Sequence, residues 1–176
     1  MALELPKGTV RVVSYSPEWQ RLFQEERDRL QAVIGGYILE IRHIGSTSVA
    51  GLSAKPIIDI GIAVESFEEA NRCIEPLVAL GFEYRGENGI PRRHYFLRTH
   101  PVEYHLHMNE IHSWDWIQTT RLRDHLAQHP DVALAYAALK EQLAQQHATD
   151  ILAYQAGKNA FIEGVLREAL AEWDLP

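Results

Sequence analysis

Residues 57–64, Ile57-Ile58-Asp59-Ile60-Gly61-Ile62-Ala63-Val64, constrain this chain more than any other stretch. They read as its clearest strand, and side chains along a strand alternate between two faces. Ile58, Ile60, Ile62 and Val64 then share the core face, which leaves Asp59 and Gly61 on the opposite one. A carboxylate set mid-strand between isoleucines is costly to bury without a partner. Asp59 is therefore expected to face a cleft.

The approach to that strand is just as specific. Residues 38–44 read as a strand, followed by Gly45-Ser46-Thr47-Ser48 and a small-residue loop over 45–54. A Gly-Ser pair straight after a strand turns the backbone tightly and aims N–H groups outward. A short helix opening there would add its positive end, which favours a phosphate. A carboxylate beside such a cradle gives Mg²⁺ a hard oxygen ligand next to triphosphate oxygens. Gly-Ser alone is better read as a polar turn followed by a capping aspartate, and it is Asp59 mid-strand that tips the reading towards function.

The rest of the chain frames these two segments. Ser16 as N-cap and Pro17 at the first position start a helix along which Trp19, Leu22, Phe23, Leu30, Val33 and Ile34 recur at helical spacing. Gly35-Gly36 stops it. Ser66-Phe67-Glu68-Glu69 has the form of a capping box, with Phe67, Ala70, Ile74, Leu77 and Val78 as a buried stripe before Gly81. Residues 82–85, 92–98 and 102–108 read as three strands with short turns between them, an antiparallel meander. Beyond Met108 the chain is helical, in segments starting near Ser113, Asp131 and Thr149. The last keeps Ile151, Tyr154, Lys158, Phe161, Ile162, Val165, Leu166 and Leu170 near one face. The expected fold is a single α/β (α+β) domain, a mixed sheet lobe over about residues 1–110 followed by a helical lobe over about 111–176.

Two more groups of residues carry chemistry. His105 and His107 lie two apart on a strand and project from one face, with Glu103 on the same side. Two imidazoles at that spacing can hold a metal or a phosphate. His-x-His also opens the metal sites of barrel hydrolases, but a chain of 176 residues falls short of the roughly 250 such barrels use. The second group is basic: Arg85, Arg92, Arg93 and Arg98 on the meander, then Arg121, Arg123, Lys140 and Lys158 on the helices. Lys140 has neighbours to pair with. Lys158 sits in the apolar stripe of the last helix, from which a long side chain reaches towards a cleft between the lobes.

Composition excludes several classes. The formal net charge is −7, so the bulk surface does not attract nucleic acid or anionic lipid. Cys73, the one cysteine, rules out an intrachain disulfide and a cysteine-based zinc site. Residues 1–13 lack the basic-then-apolar form of a signal peptide, and nowhere do eighteen apolar residues run together. A soluble cytoplasmic protein is the expectation.

Gly45-Ser46, a spacer, and Asp59 on an apolar strand resemble the signature of the DNA polymerase β-like nucleotidyltransferase superfamily. More narrowly, the chain resembles the GrpB family over roughly residues 12–168. The resemblance runs through His43-Ile44-Gly45-Ser46-Thr47-Ser48-Val49, Lys55-Pro56-Ile57-Ile58-Asp59, Arg93-His94-Tyr95-Phe96 and His105-Leu106-His107. It continues through Leu122-Arg123-Asp124-His125-Leu126, His129-Pro130, Tyr136-Ala137-Ala138-Leu139-Lys140 and Tyr154-Gln155-Ala156-Gly157-Lys158. It implies a nucleotidyltransferase-like sheet with helical additions, and a functional link to dephospho-CoA kinase, to which members occur fused.

One departure from the superfamily pattern matters. An active nucleotidyltransferase carries a second carboxylate two residues after the first and a third on a neighbouring strand, but Gly61 stands at the second position here. Glu103, His105 and His107 occupy the strand expected to supply the third. Two-metal transfer needs several ligands to clamp attacking and leaving oxygens, and Asp59 alone cannot hold two ions. In the leading reading Gly45, Ser46 and Thr47 cradle the phosphates of a nucleoside triphosphate. Asp59, His105 and His107, with Glu103, then hold Mg²⁺ or an ion that accepts imidazole, such as Mn²⁺, Ni²⁺ or Zn²⁺. Lys55, Arg93, Arg123, Lys140 and Lys158 balance triphosphate charge, and a nucleotidyl group passes to an acceptor. The alternatives are a module that binds a nucleotide or phosphorylated small molecule without turnover, and a metal-dependent phosphohydrolase at the same residues.

Overall fold

A computed structural model describes residues 9–173. Most of the stretch read for a leader, residues 1–13, and the outer limits of the two lobes lie outside those residues.

Strands β1 (Glu40–Ile44), β2 (Ile57–Val64), β3 (Glu83–Tyr84), β4 (Arg93–Arg98) and β5 (Glu103–Glu110) form one sheet in the order β1-β2-β5-β4-β3. The meander β3-β4-β5 is antiparallel, and so is β1-β2, whereas β2 and β5 run parallel at the centre. This is a mixed sheet of an α/β domain, as expected from the sequence. The parallel pair sets the register of everything that follows, with Asp59 opposite His105 and Gly61 opposite His107.

One face of the sheet is buried under α1 (Glu18–Ile34) and α2 (Ile74–Ala79). Trp19, Phe23, Leu30 and Ile34 of α1 meet Ile58, Ile60, Ile62 and Val64 of β2, with Leu106 and Met108 of β5, in a continuous core. Ser16 Oγ accepts from the Glu18 N–H at 3.3 Å and Pro17 already has helical dihedrals, so the start of α1 follows the sequence. Two of the stripe residues do not: Val33 and Val78 are exposed, being at the edges of their helices' apolar arcs. The segment before α2 is a 3₁₀ turn over Glu69–Cys73, with Ser66 Oγ accepting from the Glu69 N–H at 3.4 Å. Cys73 is buried in the core.

The helices α3 (Trp114–Gln128), α4 (Pro130–Gln146) and α5 (Ile151–Trp173) follow β5. Ser113 caps α3, accepting from the Trp116 N–H at 3.3 Å. Leu126, Ala133, Tyr136, Ala137 and Val165 close a second core over Val49 and Leu52, so the loop after β1 belongs to the helices as much as to the sheet. Among the described residues, no helix is long and apolar enough to cross a membrane.

Candidate functional site

Alternation along β2 and β5 brings three donors to the uncovered side of the sheet. Asp59 Oδ1 lies 3.0 Å from His107 Nε2 and 3.7 Å from His105 Nδ1. One ligand atom from each residue fits within 4.8 Å of the others, a spacing open to a metal ion. Glu103 stands behind this group: its carboxylate is 2.9 Å from His105 Nε2, on the far side of the ring from Asp59. A carboxylate on the outer nitrogen fixes a ligating imidazole's tautomer and raises its basicity. Glu103 is bonded to that outer nitrogen of His105 and is not among the three residues whose ligand atoms lie together.

β4 supplies the flank. Arg93 and Tyr95 point to this face, and Tyr95 meets the rings of His105 and His107 edge-on at 5.7 and 5.3 Å. Arg93 is buried, stacks 4.9 Å over Tyr95 and donates to the carbonyls of Glu87 and Asn88. Its Nη1 is 3.4 Å from His107 Nδ1, which leaves the Nε2–H of His107 to donate to Asp59. An ion at Nε2 would replace that proton, and the long Arg93 contact is the one that has to yield. Burial works to raise the Asp59 carboxyl, but the His107 hydrogen bond and the charges of His107, His105 and Lys55 outweigh it. Together they hold the group below the ordinary carboxylate range.

Above these residues is a cavity of about 350 Å³ lined by Ser46, Lys55, Asp59, His105, Lys140 and Lys158, among others. Lys140 is only 1% exposed; its Nζ donates to the Ser53 carbonyl and lies 4.6 Å from the centre of the Tyr136 ring. Burial, followed by the charge of Lys158, lowers Lys140 to about 7. Lys158 lies over Tyr154 and is lowered to about 8 by burial and then by Lys55. Ammonium groups held this far from water gain most when an anion arrives beside them.

The Gly45–Ser46 loop differs from the expected cradle. Only a single 3₁₀ turn, Ser46–Ser48, follows β1, so this loop opens no α-helix onto the cleft. Thr47 is buried: its hydroxyl donates to the Ile57 carbonyl at 2.9 Å and lies 3.1 Å from His43 Nε2, pinning the loop to β2. Ser46 lines the cleft, and Gly45 is required by its neighbour. With φ at +69°, a Cβ there would lie 2.7 Å from Asp59 Oδ2. Gly61 is tight but less so, since its Cβ would meet the Trp116 ring at 3.1 Å and Ile44 Cγ2 at 3.2 Å. Trp116 from α3 therefore covers the place of the second carboxylate.

The basic residues separate. Lys55, Lys140 and Lys158 reach the cleft, and Arg93 borders it. Arg123 lies beyond the Gly45–Ser46 loop, lining an adjoining cavity of about 280 Å³ with Leu122, Leu126 and Tyr136, and bonds Asp124 at 2.8 Å. Arg85 pairs with Glu83, and Arg92 with Glu68 and Glu110. Arg98 reaches the core face, where it pairs with the buried Glu26 at 2.5 Å. The parity of 93 against 98 along one strand already separates those two arginines. Trp116 and the bond from Ser53 to Glu141 on α4, 2.6 Å, have no counterpart in the sequence reading.

A mixed sheet with a Gly-Ser turn feeding a carboxylate strand defines an α/β protein in which Asp59, His105 and His107 gather at one cleft. Within that class the chain belongs to the GrpB family, whose model, "GrpB protein", matches residues 9–168. The crystal structure of the conserved protein GrpB from Enterococcus faecalis superposes with a TM-score of 0.86 at 35% identity, covering 93% of this chain and 99% of that one. The protein YqkA of Bacillus subtilis is 42% identical over 90% of this chain, which spans 46% of that relative's length. The glutamate-rich protein GrpB of Alkalihalophilus pseudofirmus is 32% identical, with 94% of this chain and 99% of the relative aligned. A dephospho-CoA kinase of Mycolicibacterium paratuberculosis is 29% identical over 97% of this chain and 48% of its own length.

Proposed function

We propose that this chain binds a nucleoside triphosphate in the cleft with one divalent transition ion on Asp59, His105 and His107, and transfers the nucleotidyl group to an acceptor. The observation that carries the reading is the convergence of those three donors beneath Lys55, Lys140 and Lys158. Two imidazoles and one carboxylate suit Mn²⁺, Ni²⁺ or Zn²⁺ better than Mg²⁺, which prefers all-oxygen ligands. The donor set does not fit a pair of ions. A bound ion would neutralise phosphate charge and polarise a phosphoryl oxygen. The chain's own part is to hold the triphosphate: the lysines face its oxygens and Ser46 donates from the loop. Glu103 keeps the His105 imidazole in orientation.

Trp116 over Gly61 favours a second reading, in which the same cleft senses a nucleotide or phosphorylated small molecule without turnover. The match to about half of a dephospho-CoA kinase supports a tie between such a module and that enzyme. One assay separates the two: nucleotide binding and nucleotidyl transfer with Mg²⁺, Mn²⁺, Ni²⁺ and Zn²⁺, for wild type and His107→Ala. The transferase reading expects turnover with Mn²⁺, Ni²⁺ or Zn²⁺ that His107→Ala lowers at least a hundredfold. Transfer with Mg²⁺ that survives His107→Ala defeats the three-donor site. Binding without transfer across a broad acceptor panel leaves the sensor.

A further inference from the structure

A second group of metal-type donors stands away from the cleft, where the end of α5 crosses the corner between α3 and α4. His125 and His129 lie one helical turn apart, and their rings stack at 4.0 Å. Glu168 and Glu172 lie one turn apart on α5 and face them. His125 Nδ1 is 3.0 Å from Glu172 Oε2, and His129 Nε2 is 3.2 Å from Glu172 Oε1. One ligand atom from each of His125, His129 and Glu172 falls within 4.8 Å of the others. Zinc holds imidazole and carboxylate at about 2.0–2.2 Å, so adjacent donors around one tetrahedral ion stand roughly 3.3 Å apart. The two histidine–carboxylate separations are close to that, each to a different oxygen of Glu172, and the two ring nitrogens need only close in from within 4.8 Å.

The second observation concerns the far side of the His125 ring. His125 is 3% exposed in its side chain, and its Nε2 is buried with no hydrogen-bond partner among the described residues. A neutral imidazole whose Nδ1–H donates to Glu172 leaves a bare lone pair at that buried nitrogen, which is costly. Placing an ion on Nδ1 moves the proton to Nε2, which faces Glu168 Oε2 at 3.8 Å. A small turn of that exposed carboxylate completes the carboxylate–histidine–metal arrangement that orients ligating imidazoles. The ion thus satisfies a buried ring nitrogen that has no hydrogen-bond partner among the described residues.

We infer that His125, His129 and Glu172, with Glu168 behind His125, form a binding site for a zinc-class divalent ion that staples the end of α5 to the α3–α4 corner. The inference rests on none of the cleft residues and stands whether or not the cleft holds a metal. Arg121 stacking 4.3 Å over Trp173 docks the same last turn and positions Glu172 before any ion arrives.

The test begins in a His105→Ala/His107→Ala background, which silences the cleft donors. Equilibrium dialysis against Zn²⁺ with elemental analysis, and the visible absorption of Co²⁺, should report one ion per chain. His129→Ala or Glu172→Gln, both at partly exposed positions that leave the core intact, should remove that ion and abolish the rise in melting temperature that Zn²⁺ produces. Glu168→Gln should keep the stoichiometry and weaken affinity about tenfold, as expected of a group acting through His125. No ion in the double-alanine background, or an ion retained equally by His129→Ala and Glu172→Gln, overturns the site. Melting of each variant without metal confirms that it is folded.

Discussion

The cleft turns on single positions where a missing side chain is as informative as a present one. Gly45 adopts a backbone conformation that L-residues rarely enter, and the space its Cβ would fill belongs to Asp59 Oδ2. Gly45→Ala is expected to cost about 1–3 kcal/mol in strain and to push the carboxylate out of line with His107. Urea denaturation should show the loss of stability, and titration with Mn²⁺ a weaker site than wild type. Unchanged metal binding would mean that Asp59 does not depend on the loop for its position. Gly61 tests the opposite substitution. Gly61→Asp supplies the carboxylate that the superfamily pattern has there, yet it presses on Trp116 and Ile44, which must shift to take it, so it should lower the melting temperature without bringing Mg²⁺-dependent turnover. Turnover in that variant would show that only the missing charge keeps the site from acting with two ions.

Elements determine which of these positions could be read in advance. β2 and β5 were legible because period-two alternation is strict. Once Ile58, Ile60 and Leu106 take the core, Asp59, His105 and His107 must share the other face, and the structure adds only that the strands run parallel in register. The helices were less legible, since a residue at the edge of an apolar arc can turn either way, as Val33 and Val78 do. Nothing local marks which α3 side chain descends on Gly61, because that depends on how α3 crosses the sheet. The crossing starts at a cap. Ser113→Ala removes the hydroxyl that accepts from the Trp116 N–H, and should cost about 1 kcal/mol. Because the freed donor is that of Trp116 itself, the tryptophan's fluorescence should shift before global unfolding. A Trp116 signal that changes only with the global transition would show that packing, not the cap, fixes the ring.

At the scale of the whole molecule, Lys140 links the helices to the sheet, and it predicts how stability and ligand binding answer to pH. From α4 it reaches the Ser53 carbonyl, and burial lowers it from 10.5 to about 7. Between those two values the unfolded chain holds a proton that the folded chain lacks. Stability contributed by this residue is therefore fully present above about 10.5 and falls as pH drops towards 7. Lys140→Met removes the charge while keeping most of the packing, and should gain upward of about 1 kcal/mol near pH 7 despite the lost hydrogen bond, since buried charge is often replaced without loss. Urea denaturation at intervals from pH 7 to 10 checks both parts: a rising wild-type curve and a flatter variant curve. The same proton should appear in ligand binding. A triphosphate in the cleft favours charged Lys140 and Lys158, so at pH 8–9, where both are partly neutral, binding should take up protons. Calorimetry of triphosphate binding in two buffers of different ionisation heat measures that uptake, and Lys140→Met should reduce it. If wild type and Lys140→Met bind with no net proton and share one pH–stability curve, Lys140 is charged throughout. Its burial would then be balanced within the fold and not held ready for an anion.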